Sequence, residues 1–263
     1  MTEVGVAVIT YKRQASLHRA LASIRRHCSP SLPIVVCDDE GSNQTKDISQ
    51  DFNSHYITGP NGGVCWNKNR GLYFLRHSIG AKRYLIVEDD CEVTDDGWIQ
   101  AWSNAIDKAG HINFAHPVTI MSNPAFLKSG AGTPEDPFAT TMLTGQCTGG
   151  SAASLDGAGY LSNKFKGYGH GHVEWTLRCI DAGHGGGYRE GGNYYFYGIN
   201  FGIIDHMLPT NKDSSALDAN AKVLTELRSL KDRYSEPWLN DQERATFLQE
   251  QQKATDQMAS VQS

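Results

Sequence analysis

The residues with the clearest chemical potential in this 263-residue chain lie in YLIVEDDCEVT, positions 84–94. Glu88, Asp89 and Asp90 follow directly on an apolar run of the kind that forms a buried strand. Adjacent carboxylates repel one another and are costly to bury unpaired, so a folded chain keeps such a cluster chiefly where a cation or a cationic partner meets it. A divalent-metal site is the first hypothesis. Two other polar clusters end apolar runs in the same way: Thr10 to Arg13, and Asp38 to Ser42.

These groups need elements that bring them to one place. Residues 4–10 form a valine-rich run followed by a polar turn, and Leu17, Leu21 and Ile24 recur at helical spacing over 16–26. Residues 33–37 give a second short strand, 66–77 a second helix and 84–87 a third strand. Strands alternating with helices predict a parallel sheet with right-handed crossovers, in which ligands gather at the carboxyl ends of the strands. All three polar clusters sit at such ends. From 128 to 198 the chain becomes rich in glycine and aromatics, a composition read as loops that approach a ligand or pack tightly, with a merely mobile surface as the alternative. Over 214–256 the apolar spacing predicts helices separated near Pro237, with a frayed Gln- and Ser-rich tail.

Composition narrows the function classes. A formal net charge of −5 offers no general basic field for nucleic acid or an anionic membrane. No apolar run reaches the length of a membrane-spanning helix, and the N-terminus lacks the pattern of a signal peptide, so a cytoplasmic location is expected. The six cysteines are scattered with no C-x-x-C pair, which reads as reduced structural thiols.

Four segments resemble the family 2 glycosyltransferases with the GT-A, nucleotide-sugar-binding fold. VAVITYKR is similar to the family's first strand and turn, and IVVCDDEGS to its "VVDDGS" element with Glu40 inserted. GPNGGVCWNKNRGL resembles its "N-x-G-x-x-x-A-x-N-x-G" helix start, with Asn61, Gly63, Asn69 and Gly71 in register, and YLIVEDDCEV stands where its "DxD" strand end falls. The resemblance implies an α/β, Rossmann-like, mostly parallel sheet flanked by helices, with a GT-A domain over 1–212 and a C-terminal helical extension over 213–263. Within the domain, 1–100 would bind the nucleotide and 101–212 the acceptor. It implies transfer of a sugar from a nucleotide-diphosphate sugar, UDP being the commonest carrier, to a hydroxyl of a glycan or other acceptor. A Mn2+ or Mg2+ ion would offset charge on the departing diphosphate, for which hard oxygen ligands are suited.

Residue by residue, the resemblance places Glu88 and Asp90 at the metal, Asp90 as direct ligand and Glu88 on the metal, a bound water or the sugar, with His206 as a third ligand for which His170 and His172 compete. It places Thr10, Tyr11, Arg13, Asp39, Asn61, Lys68 and Asp89 around the donor. Tyr11 can stack on a base, and a carboxylate can read N–H or hydroxyl donors, although the inserted Glu40 leaves Asp38 and Asp39 as alternatives. Lys68 is either a diphosphate or base contact or, like Arg70, a solvated cation on a helix face.

KGYGHGHVEWTLRCIDAGH resembles the acceptor-side element, with Gly169, Glu174, Arg178 and Gly183 in frame. Gly171 and His172 stand where the family has Glu-Asp. The base of an inverting transfer is therefore His172 by register or Glu174 by chemistry. A retaining transferase, a non-catalytic sugar-nucleotide or carbohydrate-binding module and a transferase acting on modified nucleic-acid bases are the rival readings.

Overall fold

The computed structural model describes residues 3–189, 193–206 and 214–262. The expected boundary between 212 and 213, and Ser263 at the end of the tail, lie outside them.

The first half builds a parallel sheet with helices packed on both of its faces. β1 (Val4–Thr10) is buried along its whole length, and α1 (Gln14–Arg26) turns Leu17, Ala20, Leu21 and Ile24 inward. β2 (Ile34–Asp38) leads into a tight turn that Asp38 holds, since its carboxylate accepts the backbone N–H groups of Glu40, Gly41 and Ser42 and the Tyr56 hydroxyl. Ser42 then caps α2 (Asn43–Asp51) by accepting Thr45 N–H, and β3 (His55–Thr58) follows. α3 (Val64–Tyr73) continues through a π-helical turn, Phe74–Ser78, into β4 (Arg83–Glu88).

β5 (Cys91–Val93), α4 (Trp98–Ala109), β6 (His111–Phe114), α5 (Pro117–Ser122), β7 (Leu127–Ser129), β8 (Phe138–Thr140), β9 (Thr144–Ser151), α6 (Ala152–Ala158), α7 (Gly171–Asp181), β10 (Gly186–Tyr188), β11 (Tyr194–Ile199) and β12 (Ile203–Asp205) complete the strand-bearing part. The glycine-rich stretch read as loops thus contains strands and two helices. β9, TGQCTGGS, lies in the middle of the sheet. Its glycines are required by close packing: a Cβ on Gly149 would meet Leu85 and Ile106 at 2.8 Å, and one on Gly150 the Tyr84 hydroxyl at 2.1 Å.

Ten strands form one mixed sheet in the order β3-β2-β1-β4-β9-β6-β11-β8-β7, with β10 on β11. β3, β2, β1 and β4 run parallel, β9 is antiparallel to β4 and β6, and β11 is parallel to β6. The carboxyl ends of β1, β2, β4, β6 and β11 and the start of β9 consequently share one edge. β12 pairs with β5 as a separate antiparallel ribbon above that edge, with Asp205 opposite Cys91.

One core layer lies under α1 and α4 and includes Leu21, Trp98 and Trp102; the other lies under α3 and α7 and includes Leu72, Phe74 and Trp175. α8 (Leu217–Ser229) and α9 (Asp241–Gln262) pack on the second side, and α9 buries Phe247 against Trp66 and Tyr73. The helix persists to Gln262 rather than fraying where the composition turns polar. Among the described residues no helix is long and apolar enough to cross a membrane.

Candidate active site

The acidic cluster at the end of β4 is already met by cations. Lys68 Nζ lies 2.6 Å from Glu88 Oε1 and donates to the Gly145 carbonyl at 2.8 Å. The Asp89 oxygens accept the Thr10 hydroxyl at 2.7 Å and Arg13 Nη1 at 3.1 Å. The same Arg13 nitrogen reaches Asp90 Oδ2 at 3.3 Å, while Asp90 Oδ1 is buried with no partner. Burial pushes the Asp89 carboxyl up to about 7, against the lowering effect of Thr10 and Arg13. Asp90 is raised by burial, then by the charges of Glu88 and Asp205.

The β5–β12 ribbon brings two more groups to Asp90. The His206 backbone N–H donates to the Asp90 carbonyl at 3.0 Å, but the His206 ring turns away, its Nε2 2.6 Å from Glu92 Oε2. Strand alternation explains this: Ile204 pairs with Glu92, so residue 206 falls on that face and Asp205 on the other. The expected ligand His206 thus pairs with Glu92, while Asp205 accepts Gln146 Nε2 at 3.0 Å and lies 3.6 Å from His116 Nε2. His116 accepts Thr119 N–H on Nδ1 as the cap of α5, which leaves the proton on Nε2, toward Asp205.

Among the described residues no three His, Cys, Asp or Glu side chains converge as a ready-made metal cage. The residues nevertheless fit a divalent ion of the kind that takes one or two carboxylates and completes its shell with substrate phosphates and water. The orphaned Oδ1 of Asp90, a carboxyl raised by burial and then by the charges of Glu88 and Asp205, is the observation in favour.

On the nucleotide side Tyr11 is 43% exposed, with Lys12 Nζ 5.1 Å from its ring centre. Asp39 is buried, and its oxygens accept Gly62 N–H (3.0 Å), Gly63 N–H (2.8 Å) and Arg70 Nη1 (2.6 Å). Asn61 Oδ1 accepts Gly63 N–H at 3.1 Å and so shapes the same turn. The reading of Lys68 and Arg70 as solvated cations is overturned, since they are 3% and 0% exposed. Both ride the inward face of α3 because the acids at the ends of β2 and β4 pair with them.

On the acceptor side the two base candidates separate. Glu174 is buried and both its oxygens are held by Arg178, Nε at 2.7 Å and Nη2 at 3.0 Å, with Arg178 also donating to the Ala158 and Tyr160 carbonyls. That is a buried ion pair at i,i+4, and it leaves neither Glu174 oxygen without a partner. His172 Nε2 lies 2.9 Å from Asn113 Oδ1 and 3.1 Å from Thr148 Oγ1. An amide oxygen only accepts, so Nε2 carries the proton and the lone pair is on Nδ1, which is buried without a partner. Burial, then Lys68 and His111, hold the ring well below its ordinary pKa. Gly145 fills the space between His172 and Lys68; a Cβ there would be 3.5 Å from each. His170 caps α7 in the left-handed region, with φ +66°.

A GT-A-type α/β fold is the class that this sheet, with acids at the carboxyl ends of its first strands, defines. The sequence model described as Glycosyl transferase family 2 matches residues 5–155, more than half of the chain. The chain belongs to that family. It is 36% identical to the GalNAc(5)-diNAcBac-PP-undecaprenol beta-1,3-glucosyltransferase of Campylobacter jejuni over 43% of this chain, and spans 41% of that relative. Among solved structures, TarS of S. aureus in complex with UDP-GlcNAc matches with a TM-score of 0.58 at 16% identity, covering 96% of this chain and 72% of that one. A mannosyltransferase from Pyrobaculum calidifontis in complex with GDP-Man and Mn2+ matches with a TM-score of 0.52 at 15% identity, covering 75% and 54%.

Sequence reasoning did not find Asp205, Gln146, His116 or Asn113 as parts of the site. The Glu174–Arg178 spacing was a readable signal for a helix ion pair.

Proposed function

We propose that the protein is a divalent-metal-dependent, inverting glycosyltransferase that moves a sugar from a nucleoside-diphosphate sugar, with UDP the expected carrier, to a hydroxyl of a glycan acceptor. The observation that carries the reading is the buried, unpartnered Asp90 Oδ1 at the end of β4, flanked by Glu88 and Asp205. Asp90, with those two carboxylates beside it, would hold the cation. The ion would supply positive charge to the leaving diphosphate.

The chain's own residues do the rest. Tyr11 presents its exposed ring to the base, and the Asp39-held turn at 61–63 shapes the nucleoside side. Arg13 and Lys68 are the cations nearest the acids, and each can give up part of its carboxylate contact to a phosphate oxygen. His172 Nδ1 takes the acceptor proton as the hydroxyl attacks the anomeric carbon, with Asn113 fixing the tautomer from the far side of the ring. The name of the C. jejuni relative, a glucosyltransferase acting on a polyprenol-linked glycan, supports a glycan as the acceptor class.

A panel of UDP-, GDP- and dTDP-sugars tests the reading by thermal shift and by release of nucleotide with Mn2+. One donor should stabilise the native state, by about 2.7 kcal/mol at a hundredfold excess over its Kd. Its product should carry the inverted anomeric configuration. Absence of stabilisation by every donor would refute the reading, and retention of configuration would refute its inverting part.

A further inference from the structure

The guanidinium of Arg70 links the donor side to the C-terminal helix. Nη1 donates to Asp39 Oδ1 at 2.6 Å and to Asn67 Oδ1 at 3.1 Å, and Nη2 to the Pro60 carbonyl at 2.9 Å. The remaining donors go to Glu250 on α9, Nε at 2.9 Å and Nη2 at 3.1 Å, and Glu250 also accepts Trp66 Nε1 at 3.0 Å. Asp39 in turn accepts the N–H groups of Gly62 and Gly63. Glu250, Arg70, Asp39 and the 59–63 turn therefore form one continuous charged and hydrogen-bonded chain.

Two features separate this chain from ordinary packing. A Cβ on Gly59 would lie 1.9 Å from Glu250 Oε1, so α9 closes on the turn at a residue with no side chain. Beside that contact an open pocket of about 330 Å3, lined by Pro60, Asn61, Gly62, Trp66, Glu243 and Glu250 among others, lies between the turn and α9. The turn is tied to the helix by the ion pair rather than by a packed face. Stability alone is a poor account of such a buried pair, because apolar residues of similar volume usually serve as well.

We infer that Glu250 is a positioning residue for the donor. Through Arg70 it fixes Asp39 and the 59–63 turn in the geometry that receives the nucleoside, so α9, which lies beyond the family-matched residues, is a working part of the donor pocket. This rests on the donor-site reading above.

The test uses the full chain and the variants Glu250→Gln, Asp39→Asn and the pair combined. UDP affinity is measured by calorimetry with Mn2+, donor KM and kcat by turnover, and amide exchange at Gly62 and Gly63 by NMR. Glu250→Gln should weaken UDP about tenfold and raise donor KM in step, with kcat within about twofold. Protection at Gly62 and Gly63 should fall while amides of β4 keep theirs, and the double variant should bind UDP no more weakly than Asp39→Asn alone. Wild-type affinity and protection in Glu250→Gln would overturn the inference, as would additive losses in the double variant. Should Glu250→Gln fail to fold, Gly59→Ala decides, since it displaces the Glu250 carboxylate with every charge kept and should give the same losses. A wild type that binds no nucleoside diphosphate would refute the donor reading, and the exchange at Gly62 and Gly63 would still decide whether Glu250 holds the turn.

Discussion

The two flanks of the cleft hold their polar groups in opposite ways. On the proposed donor flank carboxylates are met by cations: the buried Asp39 by Arg70 and Asp89 by Arg13, and the partly buried Glu88 by Lys68. On the proposed acceptor flank the chain of buried His111, Thr176, Asn113 and Thr148 and partly buried His172 carries no formal charge while its imidazoles stay neutral, and three of its nitrogens have no partner. The difference follows from what each flank would handle. A site for a diphosphate and a cation needs charges that can exchange partners at little cost. A site for a hydroxyl needs one lone pair held in place in a dry, neutral setting, where a permanent charge would be penalised.

The largest expected effect falls on the neutral flank. His172→Ala should lower the chemical step by about 10²- to 10⁴-fold with donor affinity kept, read from single-turnover rates beside calorimetry. Loss of metal-dependent donor binding instead would make His172 part of the charged flank and erase the contrast. Because burial holds the ring below its ordinary pKa, the acid limb of the rate should lie below the usual imidazole range; a limb at about pH 6.5 would argue for an exposed ring.

Glu174→Ala probes the buried Glu174–Arg178 ion pair beneath the neutral flank. Leaving Arg178 buried and unpaired should cost about 3–5 kcal/mol in denaturant unfolding, with donor affinity of the remaining folded protein unchanged. A variant of normal stability that has lost turnover would return Glu174 to the role of base.

The smallest effect concerns His111, which burial lowers from 6.5 to about 3. The unfolded chain takes up a proton below about pH 6.5 that the folded chain refuses, so stability should fall as pH drops through that value. Between about pH 6 and pH 5 this one ring contributes roughly 1.2 kcal/mol per pH unit to the slope. His111→Gln should flatten the slope by about that amount. An unchanged slope would mean the ring titrates as if exposed.

How far the sequence reveals all this depends on which physical signal each part carries. β1, β2 and β4 are legible because strands buried on both faces read as continuous apolar runs, and the acids that follow have no place inside a strand. β9 is illegible for the opposite reason: it sits between β4 and β6, but Tyr84, Leu85 and Ile106 occupy the space where its own side chains would stand, so glycine replaces the β-branched signal. Within the site, Glu88 to Asp90 announce themselves by adjacency. Asp205, Gln146 and His116 do not, because each comes from a different strand or loop and only the sheet order gathers them. His206 was the more conspicuous residue by type, yet the alternation of a short ribbon hands the position beside Asp90 to its neighbour.

The central claim is that Asp90 holds a cation for the donor diphosphate, and the most direct measurement is calorimetric binding of UDP with and without Mn2+ to the wild type and to Asp90→Asn. The substitution keeps the shape of the side chain and removes one anionic oxygen. The account predicts that Mn2+ tightens UDP binding to the wild type by tenfold or more, and that Asp90→Asn binds UDP with the weak, metal-independent affinity alone. An Asp90→Asn protein whose UDP affinity still rises with Mn2+ as the wild type's does would contradict it.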